Sequence, residues 1–374
     1  MTAYKILTRT MLATLILAAQ HATAQTPDIS TTLPMTGSVV KACDRNIQYV
    51  GRVRENADGS MAFNYPGTEI RARFRGSSLK MVCRPMTGFF MAQIDGKEPF
   101  KVSFNGQRDS VVSLATALPP GDHTVRLMYA IEGLFRQPVF KGFVLDDGCR
   151  LATPEPLPER RIEFIGNSIT CGYGVESTNA ADPFEDETEN HFLTYANLVS
   201  EQLGALHTSI SRSGIGVYRN YNGPREGSKL NMTRQWAYTL FNDSSELWDF
   251  SRYQPDLVCI NLGTNDLSTP NFDLARYEQA YRNFLADVRG KYPSAKIVLL
   301  TGPMLGEPEN GMEKRVLNRI CADFHKHGDK EIFRFDFKPQ TGSLGFGGGW
   351  HPSKKQHEAM AAELLPFLRK LMGW

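Results

Sequence analysis

A serine hydroxyl attacks well at neutral pH only beside a base, and one serine of this 374-residue chain stands where a base could reach it. Gly166-Asn167-Ser168-Ile169-Thr170 closes the strand-like run Arg161-Ile162-Glu163-Phe164-Ile165, so Ser168 falls on a tight turn where an apolar strand runs out. Open α/β sheets gather their chemistry at such carboxyl ends. Of the eight histidines, His351 has the right context: it ends the loop Gly347-Gly348-Gly349-Trp350-His351, after the last strand and before the terminal helix. His325 and His327, two apart near a helix end, point away from each other. His191, His207 and His357 lie in no motif, His123 sits in a turn and His21 in an N-terminal leader. Acyl transfer also needs hydrogen-bond donors for the oxyanion. The Ser168 amide, the Gly214 amide in Ser213-Gly214-Ile215-Gly216, and the Asn265 side chain in Gly263-Thr264-Asn265-Asp266 are the candidates. Chemistry of this kind calls for no metal and no organic cofactor.

The elements that must position these residues begin at Arg161. Apolar strands at 162–165, 257–261, 297–301 and 332–335 alternate with helical stretches. One helix carries Leu274, Tyr277, Phe284, Leu285 and Val288 on a face, another Met312, Val316, Ile320 and Phe324, and the last runs from Ser353 towards Met372. That alternation predicts a parallel sheet covered on both faces. Between Lys41 and Cys149 the period is two instead, as in Glu69-Ile70-Arg71-Ala72-Arg73-Phe74-Arg75 and at Val125, Leu127 and Tyr129. Turns at Asp58-Gly59, Asp95-Gly96, Asn105-Gly106 and Pro119-Pro120-Gly121-Asp122 punctuate it, which predicts an antiparallel β-sandwich. The proline-alternating stretch within 153–160 reads as a stiff connector. The expected organisation is a leader over 1–24, a sandwich over 25–152, the connector over 153–160 and an α/β domain over 161–374.

The leader has the order of a secretory signal: Lys5 and Arg9, an apolar run from Met11 to Ala19, then Ala22-Thr23-Ala24 before the cut. The run is too short to span a bilayer, so the expectation is a secreted or periplasmic protein. A formal net charge of +2 gives no global field for nucleic acid or an anionic membrane. Six cysteines remain after the leader, and Cys43 and Cys149, which bracket the sandwich, could bridge its ends. Cys259, inside an apolar strand, reads as a buried thiol. Neither a CxxC pair nor zinc-ligand spacing occurs.

The order serine, glycine, asparagine, histidine across Ser168, Gly214, Asn265 and His351 resembles the SGNH (GDSL-type) hydrolase superfamily, over roughly Arg161 to Trp374. Within it, Ile165–Gly174, Ser213–Asn220 and Trp350-His351-Pro352-Ser353 look most like carbohydrate esterase family 2, acetyl esterases of plant polysaccharides. That family carries a jelly-roll domain ahead of the hydrolase, matching the expected sandwich. The resemblance implies Ser168 as nucleophile, His351 as base, and Ser168, Gly214 and Asn265 as oxyanion donors. Asn167 stands where the superfamily usually has aspartate. An aspartate three residues before the histidine, or in some family 2 enzymes an acid two before, is also expected, and here those positions are Gly348 and Gly349. The expectation is therefore a Ser168–His351 dyad, with a backbone carbonyl accepting from the imidazole and Asp336 as the nearest alternative acid. Trp350 offers a flat face for a sugar or else packs its loop down, and Tyr218 is a second substrate-contact candidate. The competing readings are an SGNH lipase or thioesterase, and a carbohydrate-binding protein whose hydrolase domain is inactive.

Overall fold

The computed structural model describes residues 36–108 and 110–374; the expected leader over 1–24 lies outside them. Two six-stranded antiparallel sheets come first. One orders Arg54–Glu55, Met61–Ala62, Val139–Leu145, Leu79–Cys83 and Ser110–Ala115, with Ser38–Lys41 also paired to Val139–Leu145. The other orders Leu151–Ala152, Glu69–Arg75, Asp122–Tyr129, Gly88–Ile94 and Phe100–Phe104, with Ile47–Val50 added to Glu69–Arg75. Alternation sets the buried face: Ile70, Ala72, Phe74, Val125, Leu127 and Tyr129 pack against Leu79, Met81, Phe140 and Phe143 of the facing sheet. Glu69 departs from the pattern, being buried, because Arg71 (2.6 Å) and Arg126 clasp its carboxylate. Burial alone would raise that carboxyl, but the two arginines hold it down at about 2. Cys43 and Cys149 are not bridged; both are thiols, Cys43 lying against the Gly59 turn and Cys149 against Gly76.

Residues 153–160 contain no helix or strand and lead into five parallel strands: β1 (Arg161–Gly166), β2 (Leu206–Ser211), β3 (Leu257–Asn261), β4 (Lys296–Thr301) and β5 (Ile332–Asp336). Their order in the sheet is β2-β1-β3-β4-β5. Four helices cover it: α1 (Tyr195–Leu203), α2 (Leu274–Lys291), α3 (Glu309–Lys326) and α4 (Lys354–Met372). Side chains alternate between faces. Ile165, Ile260 and Leu299 join Tyr277, Phe284, Val316 and Ile320 of α2 and α3. Phe164, Cys259 and Val298 join Val199, Leu203, Leu364 and Leu368 of α1 and α4. Ser353 starts α4 by accepting the Gln356 amide at 3.2 Å, an N-cap that fixes where the preceding histidine loop stops.

The sandwich and the hydrolase meet through buried polar contacts. Arg52, 1% exposed, donates to the carbonyls of Trp236 and Tyr238 and stands 3.9 Å from Glu163 of β1. Tyr65, Trp248 and Phe250 enclose its guanidinium. Glu163 in turn accepts from Trp236 Nε1 and Tyr292 Oη, both at 2.9 Å. Nearby, Tyr65 Oη donates to Gln235 O at 3.0 Å and Asn64 bonds Asn242 at 2.8 Å. Arg52→Ala leaves a buried carboxylate without its cation, which costs about 3–5 kcal/mol. Guanidinium-induced unfolding should show that loss, and a change below about 1 kcal/mol would contradict this account of the interface.

Candidate active site

Ser168 opens a single helical turn, Ser168–Cys171, directly after β1. Asn167 caps the turn, its Oδ1 accepting the Ile169 amide at 3.0 Å. An amide oxygen performs this cap as well as a carboxylate does, so Asn167 serves where aspartate is usual. Behind the turn Thr170 Oγ1 meets Tyr195 Oη at 2.9 Å, and Asn261 Nδ2 donates to the same hydroxyl at 3.2 Å. The turn is thereby tied to α1 and β3.

The structure brings His351 to this serine. Its Nε2 lies 2.9 Å from Ser168 Oγ, within ordinary hydrogen-bond reach. Its Nδ1 faces two main-chain carbonyls, Gly349 O at 3.1 Å and Gly348 O at 3.2 Å. No side-chain carboxylate bonds the ring among the described residues. Tyr173 stacks on the imidazole with centroids 4.0 Å apart and planes 20° apart. Burial pushes the His351 pKa down to about 4, against the opposing pull of the Gly348 and Gly349 carbonyls.

Main-chain bonds fix the histidine loop. Gly348 N–H donates to Gly174 O (2.9 Å), Gly349 N–H to Asp182 O (3.0 Å), Trp350 N–H to Ala180 O (3.1 Å) and Gly347 N–H to His351 O (2.9 Å). Contact this close requires glycine: a Cβ on Gly174 (φ 58°) would lie 2.7 Å from Gly348 N. Trp350 adopts φ 56°, unusual and costly for a bulky residue, and its side chain is 58% exposed.

The three oxyanion candidates sit on neighbouring strand ends. Gly214 (φ 73°) follows β2, and neither its amide nor that of Ser168 donates to any acceptor among the described residues. Asn265 follows β3 on a short turn and spends one Nδ2 hydrogen on Ile215 O at 2.7 Å, leaving the other uncommitted. The adjacent Asp266, which the sequence reading passed over, is fully buried and accepts three successive amides: Val217 (3.1 Å), Tyr218 (2.8 Å) and Arg219 (3.0 Å). Burial pushes its carboxyl up to about 6 despite those donors. Asp266 thus pins the loop carrying Gly214 to the turn carrying Asn265. Its place in Gly-Thr-Asn-Asp was the available signal; Tyr173, whose role is a ring stacked across space, had none.

One sequence expectation needs correction, and the alternative acid is placed elsewhere. Tyr218 is 4% exposed, packed in the hydrolase core with its hydroxyl accepting the Asp273 amide at 2.8 Å, and it presents no face to a substrate. Asp336 ends β5 paired to Arg334 at 2.9 Å rather than to His351.

Residues 49–155 match the family described as "Carbohydrate esterase 2 N-terminal", and residues 162–364 match "GDSL-like Lipase/Acylhydrolase". An acetylxylan esterase/glucomannan deacetylase of Cellvibrio japonicus is 30% identical over 339 residues, spanning 90% of this chain and 91% of that protein. This chain belongs to carbohydrate esterase family 2. The cellulase/esterase CelE of Acetivibrio thermocellus is 35% identical over 331 residues, 88% of this chain, although the matched part is only 40% of that longer protein. A family 2 esterase structure from Clostridium thermocellum, in complex with cellohexaose, superposes with TM-score 0.80 at 34% identity, covering 88% of this chain and 99% of that one. A Cellvibrio japonicus family 2 structure gives 0.82 at 28% identity, covering 90% and 98%. As in those relatives, a sandwich with antiparallel sheets precedes a serine ester hydrolase built on a central parallel sheet.

The geometry of this family 2 site fixes a pH response. With neutral imidazole as the base, as the sequence leads one to expect, activity should be present above the folded pKa of His351 and lost as pH falls through it. A fall in kcat/KM centred near pH 4 is expected from His351, in place of the ordinary histidine value near 6.5. Initial rates on p-nitrophenyl acetate, in buffers where circular dichroism shows folded protein, test this; a limb centred above pH 6 contradicts the covered-ring geometry.

Proposed function

We propose that this chain removes O-acetyl groups from plant polysaccharides such as xylan or glucomannan, or from their oligosaccharides, after export. The carrying observation is the 2.9 Å approach of His351 Nε2 to Ser168 Oγ at the carboxyl edge of the sheet. Ser168 Oγ attacks the acetyl carbonyl while His351 Nε2 takes the hydroxyl proton. The Ser168 and Gly214 amides and the Asn265 side chain hold the resulting oxyanion. Collapse expels the sugar hydroxyl, which receives the proton from His351. Water, activated by the same imidazole, then cleaves the acetyl-enzyme and releases acetate.

The Gly348 and Gly349 carbonyls take the place of an acid. They select the tautomer with hydrogen on Nδ1, leaving Nε2 free to accept the serine proton, and their dipoles favour the imidazolium that forms. They cannot titrate, so no acid beside the histidine adds a second ionisation to the dyad.

Ser168→Ala and His351→Ala should each lower acetate release from acetylated xylan by at least ~10³-fold. Activity retained in Ser168→Ala would reject the mechanism. Absence of turnover in the wild-type protein would favour the non-catalytic carbohydrate-binding reading instead. A lipase or thioesterase requires an apolar acyl groove, and polar, glycine-rich loops surround Ser168; preference for p-nitrophenyl acetate over a long-chain ester separates the two.

Trp350 supports the carbohydrate assignment. An exposed indole carried on a strained backbone next to the base suits the C–H face of a pyranose better than it suits a role in loop packing. Trp350→Ala should raise KM for acetylated oligosaccharides about tenfold, equivalent to ~1.4 kcal/mol, while changing p-nitrophenyl acetate turnover far less. Equal effects on both substrates would assign the ring to loop packing.

A further inference from the structure

The sandwich reaches the catalytic machinery through one buried carboxylate. Glu132 follows the strand Asp122–Tyr129 and is 2% exposed. Its neighbours anchor it on both sides of the domain boundary: Ile131 lies in the sandwich core, and Leu134 packs on the hydrolase core. Glu132 Oε2 accepts the Ser213 amide at 2.6 Å, and Cys171 Sγ, from the nucleophile's own turn, approaches the same oxygen at 3.6 Å. The Glu132 amide donates to Glu189 Oε2 at 3.1 Å, and Glu189 is itself fully buried. Burial raises both carboxyls, while the Ser213 amide and Arg212 oppose the rise at Glu132.

Ser213 immediately precedes Gly214, which supplies an oxyanion donor under the reading above. The Gly214 carbonyl is fixed separately, accepting the Tyr221 amide at 2.8 Å. Each peptide unit is planar, so with the unit before Ser213 and the unit after Gly214 both tied down, the Ser213–Gly214 peptide can turn its N–H away only by rotating about its own Cα–Cα axis. We propose that Glu132, contributed by the sandwich, is a positioning residue that holds the Gly214 amide towards the reacting carbonyl by accepting the Ser213 N–H. The sandwich is then part of the catalytic apparatus even if it never touches a glycan. The inference rests on the esterase mechanism proposed above. It differs from a packing role in what it requires: an acceptor atom at the Glu132 carboxylate position.

Steady-state kinetics on p-nitrophenyl acetate test this with Glu132→Gln, which keeps an acceptor, and Glu132→Met, which fills similar volume without one. Glu189→Gln, altered in the same buried cluster away from Ser213, is the control. All are assayed below their melting temperatures, and Glu132→Ala replaces Glu132→Met if the latter does not fold. Misplacing a donor by about 1 Å costs on the order of 10²-fold. We expect Glu132→Met to lose roughly 10–100-fold in kcat with KM within about twofold, and Glu132→Gln and Glu189→Gln to stay within about threefold of wild type. Wild-type kcat in folded Glu132→Met, equal losses in the Gln and Met variants, or a loss confined to KM each overturns the positioning role. Those results leave the esterase reading intact, whereas a wild-type protein without ester turnover removes the reading on which the inference stands.

Discussion

Orientation of the imidazole at His351 is the constraint on which the site depends, and the main chain supplies it. Four backbone bonds hold residues 347–350 to the loop after the serine turn and to His351 itself. Two carbonyls are thereby aimed at Nδ1. A side-chain acid can rotate, titrate and be replaced by a single substitution. A carbonyl can do none of these, but it demands a rigid backbone, and the glycines at 174, 348 and 349 allow the two loops to approach closely enough to provide one.

Three buried carboxylates elsewhere act as clamps, two on main-chain amides and one on side-chain donors, rather than as reactants. Asp266 gathers Val217, Tyr218 and Arg219; Glu132 takes Ser213; Glu163 gathers Trp236, Tyr292 and Arg52. Each fixes a loop that crosses the carboxyl edge of the sheet or the seam with the sandwich. A charge left in such a position without its partners is costly, so the loops are held in place by the same burial that makes those carboxylates expensive.

Much of this was legible in the sequence because its signals are local. The period-two strands, the apolar strands of the parallel sheet and the faces of α2 and α3 follow from side-chain alternation, and Ser168, Gly214, Asn265 and His351 all fall on strand-end loops. What was missed is non-local or mixed in character. Strand β2, Leu206-His207-Thr208-Ser209-Ile210-Ser211, carries too many polar residues to read as buried, yet every residue in it is. Its His207 is satisfied by His191 at 2.9 Å, a contact no spacing reveals. The hairpin of Tyr238–Leu240 and Asp243–Leu247 has no strong alternation and owes its place to the sandwich side chains it meets. Tyr218 failed as a substrate contact because an aromatic in the loop after Gly214 can turn inward as readily as outward, and nothing in its neighbours distinguishes the two.

The seam around Arg52 has a consequence for modularity. The proline-rich stretch at 153–160 looks like a hinge between exchangeable parts, the kind of junction at which domains are shuffled between genes. The atoms say otherwise. A hydrolase separated there would keep Glu163 buried without its cation, lose the Ala130 carbonyl that accepts the His191 amide at 2.7 Å, and free Ser213 from Glu132. Inheritance should therefore act on the pair as one unit, with the connector joining two parts that complete each other rather than offering a point of exchange.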